Sequence, residues 1–417
     1  MTRPSDSELL DKSSKSSELL RLTSESGEIG FEDWANWWSA FLRGATLPSV
    51  NERPALGVVD LFCGAGGFGL GASLAARSVG RRAHFERIVD ADAKALEVYS
   101  RNLSVGRSLS VSVSSLVDYQ VRRRGGIARF AYPPEIISEE FAIEREPALL
   151  IGGPPCQGHS NLNNYTRRAD PRNDLLYCSV AIAVAVEAKS IVLENVRSIQ
   201  LAEGDLLATA IQLLQSEGYE VNIEQPILKA ASLGWPQTRE RYFLSAVRHD
   251  VKSGEFGRPE EREPKNVLWA IGDLAELEGG VPVFDEAPTP TEVNRKRIEW
   301  FSRNENKREL PFSERPDCHK DGTTYTAVYG RMYEDRPAPT ITTGFGTPGQ
   351  GRFIHPTRPR VITPHEAARI QGFPDNYRFF LEGEIPKRKD LAKWIGDAVP
   401  PILGFAAVSR VLAAMDI

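Results

Sequence analysis

Leu56-Gly-Val-Val-Asp60-Leu-Phe62-Cys-Gly64-Ala-Gly66-Gly67-Phe-Gly69-Leu-Gly71 is the stretch from which the rest of the chain is read. Leu56 to Phe62 is a short apolar strand, glycines then form a turn, and small residues from Leu70 to Val79 form a helix. Glycines at such a turn let a ligand approach the backbone, and the helix N-terminus favours a negative group such as a carboxylate. Taken alone, the turn fits a dinucleotide site, a nucleoside-cofactor site or a tight structural turn. Asp90 ends the second strand, Phe85 to Asp90, where an acid can hold ribose hydroxyls.

The rhythm of strand, turn and helix repeats outward from there. Ala93 to Asn102, Asn173 to Glu187 and Asp205 to Glu217 read as helices; Ala148 to Ile151, Ser190 to Glu194, Tyr219 to Glu224 and Arg241 to Val247 read as strands. Ala181 to Val186 alternates like a strand, although a helix fits the spacing between its neighbours better. Alternation of this kind predicts an α/β fold, a mostly parallel sheet with helices on both faces, with ligands at the carboxyl ends of the strands. From about 248 to 328 the rhythm is lost among Pro, Glu, Arg and scattered aromatics, which predicts a separate small domain. Residues 1–50 form an N-terminal extension, Ser- and Glu-rich at first. In it Phe31, Trp34, Trp38, Phe41 and Leu42 share one helical face, suited to packing on the main body or docking a partner.

Composition narrows the class. Hydrophobic residues at 41% and charged residues at 26% are globular values, which exclude disorder along the whole chain. Apolar runs such as Ala181 to Val186 fall far short of the roughly 18 residues a membrane span needs. The N-terminus lacks a signal-peptide pattern, and the cysteines at 63, 156, 178 and 318 form no CxxC pair, so a cytoplasmic protein is expected. The 51 basic against 56 acidic side chains leave a net charge of −5, which does not exclude nucleic acid, because phosphate binding needs only a local basic surface. Such local runs are Arg122-Arg-Arg124, Arg167-Arg168, Arg295-Lys-Arg297 and Lys387-Arg-Lys389.

Gly152-Gly-Pro-Pro-Cys156-Gln-Gly-His-Ser160 is more specific than the glycine turn. It follows a buried strand, so Cys156 belongs to a loop at the sheet's carboxyl edge. A lone cysteine is usually inert packing; one framed by Pro-Pro and Gln-Gly at a ligand-binding edge is a nucleophile candidate. Glu194-Asn195-Val196 closes the next strand and brings a carboxyl to the same edge, as an acid or a hydrogen-bond anchor. Gln237-Thr-Arg239-Glu-Arg241 offers two guanidiniums at i, i+2 on one face.

The ordered set DLFCGAGGFGLG, GGPPCQGHS, ENV, QTRER, RPAPTIT, HEAARIQGFPD and GDAVPP resembles the DNA (cytosine-5)-methyltransferases of prokaryotic type, over residues from about 56 to 404. The resemblance implies a Rossmann-like catalytic domain (51–247 and 329–417) that binds S-adenosyl-L-methionine, without a metal, and a small target-recognition domain (248–328). It implies that Cys156 adds to C6 of a cytosine flipped out of duplex DNA. Glu194 would hold N3 and the exocyclic amine, while Arg239 and Arg241 would bind O2 and position the catalytic loop. The cofactor would lie on Asp60, Leu61, Phe62, Gly64, Gly66 and Gly67, with Asp90 and Ala91 at the ribose. Pro154 and Leu175 would line its pocket, and Asp397 and Val399 would close it. Gln157, Ser160 and Gln237 are expected at the DNA, as are Arg295, Arg297 and Arg303 in the recognition segment. A monomer acting on double-stranded DNA, partnered with a restriction or defence protein, is the expected setting.

Three departures from the family pattern stand out. His159 replaces the Phe often found there, and Asp397 replaces Asn in Gly-Asn-Ala-Val. The place of the acid that usually meets the adenine amine falls to Ser114 or Asp118, with no choice between them. Two rival readings are an RNA cytosine-5 methyltransferase of the same fold and a DNA-binding component of a defence system that has lost catalysis.

Overall fold

A computed structural model of the chain describes residues 31–47, 54–155, 174–201, 205–277, 279–317, 328–380 and 383–416. These divide into two compact units. One holds the described residues up to 47, Ala230–Arg239 and Glu261–Asp397; the other holds those from 54 to Lys229, Glu240–Glu260 and Ala398 onward. The units do not change over at 247 or 329, the bounds expected for the catalytic and recognition domains.

In chain order the elements begin with α1 (Phe31–Leu42), β1 (Leu56–Leu61), α2 (Gly67–Ser78), β2 (Ala83–Val89), α3 (Ala93–Asn102) and β3 (Val105–Leu109). Four short strands follow, β4 (Val117–Asp118), β5 (Val121–Arg124), β6 (Ile127–Phe130) and β7 (Glu135–Ile136). Then come β8 (Leu149–Gly152), α4 (Asp174–Ala185), β9 (Ser190–Val196), α5 (Leu206–Ser216), β10 (Tyr219–Asn222), β11 (Ile227–Lys229) and β12 (Glu240–Arg248). The chain ends with α6 (Val267–Ile271), α7 (Glu292–Arg303), α8 (Pro364–Gln371), α9 (Arg388–Gly396) and α10 (Pro401–Ala413).

The second unit is built on an eight-stranded sheet of order β10-β12-β9-β8-β1-β2-β3, with β11 beside β12. β1, β2, β3, β8 and β9 pair in parallel, and β12 runs antiparallel to β9, β10 and β11. The reversed direction of β12 was not legible in its sequence, because a strand buried on both faces reads as an apolar run in either direction. β3 was missed because Val105-Gly-Arg-Ser-Leu109 carries little apolar signal and is mostly exposed. The ambiguous Ala181–Val186 stretch is helical: α4 is apolar all round and its middle is fully buried, as a helix inside a large core must be.

The order fixes where a ligand belongs. From β1 the chain winds outward through β2 to β3, then returns to β8 on the other side of β1. Neighbouring strands whose crossovers leave in opposite directions open a crevice at their carboxyl ends. Here that crevice is framed by Phe62–Gly66 after β1 and Gly152–Pro155 after β8. Helix α2 starts at the crevice and packs closely on α10. A Cβ on Gly71 would stand 2.5 Å from Pro401 O and 2.7 Å from Phe405 N, so only glycine permits this approach.

In the first unit, α1 does pack on its own unit, as one sequence reading held: Trp38 is buried with its ring 5.1 Å from that of Trp235. Arg262 lies over Trp34, 4.6 Å from the ring centre, and Trp235 Nε1 donates to Ile370 O at 2.8 Å. Helix α8 opens with a capping box between Thr363 and Glu366, and the Glu366 carboxylate also takes both Arg360 Nη groups at 2.7 Å. The segment Arg388–Ala413 passes the length and mean-hydropathy test for a membrane span, although charged residues such as Lys393, Asp397 and Arg410 interrupt it, so it is no continuous apolar run. Its most apolar part is mostly buried, and it is broken between Gly396 and Pro401 into α9 and α10, which identifies it as core helix.

Candidate active site

The glycine turn after β1 is shaped by backbone conformations that side chains resist. Phe62, Gly64 and Gly66 have φ of 54°, 50° and 93°. For an aromatic residue this is a strained conformation, of the kind held at ligand sites. It leaves Phe62 half-buried against the core that also carries Leu175. A Cβ at Gly64 would meet nothing within 4 Å, so the face of the loop is open there. The Gly66 cap of α2 supplies no side-chain acceptor, leaving the first-turn N–H groups available to an anion.

Asp90 ties this loop to the next. Its Oδ2 accepts from Gly64 N–H at 2.9 Å, and its Oδ1 accepts from Asp92 N–H at 2.8 Å. Each carboxylate oxygen retains a lone pair for a ribose hydroxyl. Asp60 lies beneath the loop, fully buried, its Oδ2 accepting from Tyr99 Oη at 2.9 Å. Burial pushes its carboxyl well above the usual range, the charge of Asp90 adds to this, and the Tyr99 hydrogen bond opposes it. Its Oδ1 has no hydrogen-bond partner among the described residues. An orphaned carboxyl oxygen, an unfilled helix N-terminus, an open glycine face and a half-buried aromatic fit S-adenosylmethionine, which carries cations, a carboxylate and an adenine.

Two expected cofactor residues are placed differently. Leu61 turns its side chain wholly into the core, because β1 is buried on both faces, and offers only its carbonyl, which accepts from Gly153 N–H at 3.3 Å. Ala91 is exposed, with its carbonyl 3.5 Å from Ser110 Oγ. Of the candidates for the missing adenine acid, Asp118 lies in the small β4–β7 pair, where it accepts from Tyr132 Oη, and Ser114 meets Ser112 Oγ at 2.8 Å.

Across the crevice, the described chain stops at Pro155, one residue before Cys156. Cys156, Gln157, His159 and Ser160 lie outside the described residues. What surrounds their attachment point is well defined. A Cβ on Gly153 would lie 3.6 Å from Glu194 Oε2 and 3.8 Å from Val399 Cγ2, so the acid, the residue expected to close the pocket and the Pro-Pro approach meet at one place. Glu194 is held by Arg241, whose Nε lies 2.7 Å from Oε1 with both side chains mostly buried. Asn195, given no role by sequence, donates through Nδ2 to Pro154 O at 3.4 Å and accepts from Val196 N–H. The signal that could have found it is an amide in an otherwise apolar buried strand.

The described cysteines are packing residues. Cys63 and Cys178 are buried, and burial, reinforced by the charges of Asp60 and Asp90, pushes the Cys63 thiol well up. The glutamine and first arginine of QTRER are also internal. Gln237 is fully buried and donates to Ile370 O and Gln371 Oε1, so the expected DNA contact is not made by this side chain. Arg239, 4% exposed, donates to Ile341 O at 2.8 Å and Gly396 O at 3.3 Å; it clamps the RPAPTIT stretch to the end of α9 instead of presenting itself to a base. Both turn inward because the backbone carbonyls ending buried segments need donors. Asp397 caps α9 and is exposed.

On α7, Arg295 is paired with Glu292 and Glu299, and Arg303 lies 3.8 Å from Glu299. Arg297 donates to Glu314 O and Asn294 Oδ1 and lies over Tyr329. Among the described residues no cluster of His, Cys, Asp and Glu suited to a metal is present.

A crevice with this glycine loop, this acid and this approach segment agrees with comparison to known proteins. Residues 56–412 match the family model for C-5 cytosine-specific DNA methylase. The chain belongs to the C-5 cytosine-specific DNA methylases. It is 38% identical to the type II methyltransferase M1.BsuMI of Bacillus subtilis, over 88% of this chain and 83% of that protein. It is 31% identical to the type II methylase M.HgiDII of Herpetosiphon aurantiacus, over 83% and 92% respectively. In fold it is similar to a protein encoded in an E. coli prophage and described as a DNA modification methyltransferase, with a TM-score of 0.57 and 23% identity over 86% of this chain and 99% of that one. This methylase family is S-adenosylmethionine-dependent and acts on DNA, in agreement with the enzyme class expected from the sequence.

Proposed function

We propose that this methylase moves a methyl group from S-adenosylmethionine to C5 of a cytosine flipped out of duplex DNA, through a covalent bond between Cys156 and C6. The observation that carries the reading is the meeting of Glu194, Gly153 and Val399 beside the segment that delivers Cys156. Cytosine C5 is a poor nucleophile, and addition of a thiolate at C6 makes it an enamine carbon. A carboxyl at N3 and the exocyclic amine favours that addition, and Arg241 fixes the Glu194 oxygen from behind. Loss of the C5 proton and elimination of Cys156 restore the ring. Phe62, Asp90 and the first turn of α2 would hold the cofactor, which supplies an electrophilic methyl group when bound. The base reaches this edge only by leaving the duplex, at a cost of a few kcal/mol.

The similarity to two type II enzymes supports a restriction-modification setting. Recognition of the target sequence is assigned to the segment 248–328. The test is transfer of labelled methyl from the cofactor to duplex DNA and to tRNA, followed by mapping of 5-methylcytosine. Label in duplex DNA at C5 supports the reading; label confined to tRNA, or none, contradicts it.

A further inference from the structure

Strands β5 and β6 form a hairpin that the reaction does not use. Its two-residue turn, Gly125-Gly126, has φ of 59° and 82°, the type I′ geometry that matches strand twist. Its register sets Val121 opposite Phe130, Arg122 opposite Arg129, Arg123 opposite Ala128 and Arg124 opposite Ile127. Alternation then sorts the side chains into two faces. The inner face is anchored: Val121 and Phe130 pack on the main core, Arg123 Nη2 donates to Thr209 Oγ1 at 2.5 Å, and Ala128 N–H donates to Gln212 Oε1 at 2.8 Å. Both acceptors lie on α5, the helix that follows the strand bearing Glu194.

The outer face holds Arg122, Arg124, Arg129 and Ile127, all exposed. Like charges directly opposite across a strand pair are destabilising, and Arg122 faces Arg129. No acid occurs between Val121 and Phe130. The nearest acids along the sequence are Asp118 and Glu135 on the β4–β7 pair; Asp118 takes the Tyr132 hydroxyl, and Arg122 is within electrostatic reach of that phenol. Arg124 and Arg129 make no hydrogen bond or ion pair with the described residues. An anchored ribbon that gathers three cations with no ion pair to the described residues suits an external polyanion.

We propose that the outer face of this hairpin is a second DNA-backbone contact, on the catalytic unit and apart from the recognition segment, gripping phosphates of duplex flanking the target cytosine. It rests on the reading of duplex DNA as substrate. Phosphate contacts of this kind hold register without reading sequence.

The test compares the triple variant Arg122→Ala/Arg124→Ala/Arg129→Ala with its Arg→Lys counterpart and the wild type. Duplex affinity is measured across a salt series, and methylation kinetics and S-adenosylhomocysteine binding are measured alongside. Each lost phosphate contact should lower the slope of log affinity against log salt by about 0.9, so the alanine triple should lose about 2 to 3 units. Affinity should fall roughly tenfold or more at low salt, alike for all sequences. The KM for DNA should rise, while kcat at saturating DNA, the methylated sequence and S-adenosylhomocysteine binding should hold. The lysine triple should recover the slope, since a phosphate accepts a point charge. An alanine triple with wild-type slope and affinity overturns the proposal, as does a lysine triple as weak as the alanine one. Should the alanine triple lose S-adenosylhomocysteine binding, the single variants Arg124→Ala and Arg129→Ala carry the same test. Wild-type enzyme that methylates no duplex DNA would instead overturn the substrate reading, which the kinetic arm reports separately.

Discussion

Glu194 Oε1 and Arg241 Nε are 2.7 Å apart across the antiparallel pair of β9 and β12, with the other carboxylate oxygen turned toward Gly153. The reversed direction of β12 creates this pairing. It sets Arg241 opposite Val196, two residues past Glu194, and lets the guanidinium reach back to the carboxylate. One oxygen is thereby fixed, and the other is left for a base.

Glu194→Gln keeps the volume and removes the charge, and is expected to lower kcat by about 10²–10⁴ with DNA binding retained. Arg241→Ala leaves a mostly buried carboxylate uncompensated and should cost up to about 3–5 kcal/mol of stability as well as activity. Single-turnover methylation and denaturant unfolding of both variants check this. Wild-type kcat in Glu194→Gln would remove the acid from the chemistry.

The contact of α2 with α10 gives a second prediction. A methyl group on Gly71 collides with backbone atoms of Pro401 and Phe405, which have no rotamer to yield. Gly71→Ala should therefore destabilise by about 1–3 kcal/mol. It should also weaken S-adenosylhomocysteine binding, because α2 begins at the cofactor loop. Unchanged melting and binding would show that the helices can part without cost.

Two buried clusters give the first unit opposite responses to pH. His365 sits between Asp285 Oδ1 at 2.6 Å and Asp375 Oδ1 at 2.8 Å, with Arg369 behind Asp375. Burial opposes its charge, but the two carboxylates outweigh burial and raise its pKa above 6.5. Its stabilisation is therefore full below the unfolded value and is lost as pH rises through the folded one. Glu366 is the reverse. Burial pushes it up, yet Arg360 and His355 bring it down to about 2, so its stabilisation holds above the ordinary 4.5 and is lost as pH falls through about 2. The stability gap between wild type and His365→Asn should narrow as pH rises above the ordinary imidazole value of 6.5. For Glu366→Gln the gap should narrow only in acid. Gaps that do not move with pH would mean that neither charge matters.

The arginines of α7 divide by what they touch. Arg297 is spent on Glu314, Asn294 and Tyr329, so Arg297→Ala should lower the melting temperature of the free protein. Arg295 and Arg303 are held only by exposed pairs worth about 0–1 kcal/mol, which a phosphate can replace. Alanine at both should leave melting unchanged and weaken DNA binding. Melting curves and salt-dependent binding distinguish the two groups, and a destabilised Arg295→Ala/Arg303→Ala protein would contradict the division.

Much of this was legible in sequence, for reasons particular residues make plain. β1, β8 and β9 are apolar runs closed by Gly64, Gly152 and Asn195, so their carboxyl ends could be placed and the edge bearing Glu194 followed. The glycine turn decided least by itself: Gly64, Gly66 and Gly69 satisfy the GxGxxG spacing, so it alone does not separate a dinucleotide from a nucleoside cofactor. The inward turn of Gln237 and Arg239 was not legible, because a polar motif does not reveal that distant carbonyls at Ile341, Ile370 and Gly396 need its donors. The clasp of Asp90 on Gly64 was hidden likewise, being a contact between two loops.

The proposed covalent bond between Cys156 and C6 of the target cytosine can be trapped directly. Long duplex DNA made with 5-fluorocytosine in place of cytosine blocks the final proton loss at C5, so a bond once made to C6 cannot be released. Incubated with this DNA and S-adenosylmethionine, the wild-type enzyme should migrate with the DNA on a denaturing gel, and Cys156→Ser should bind the DNA but run free. No adduct with the wild type, or an equal adduct with Cys156→Ser, would contradict the account.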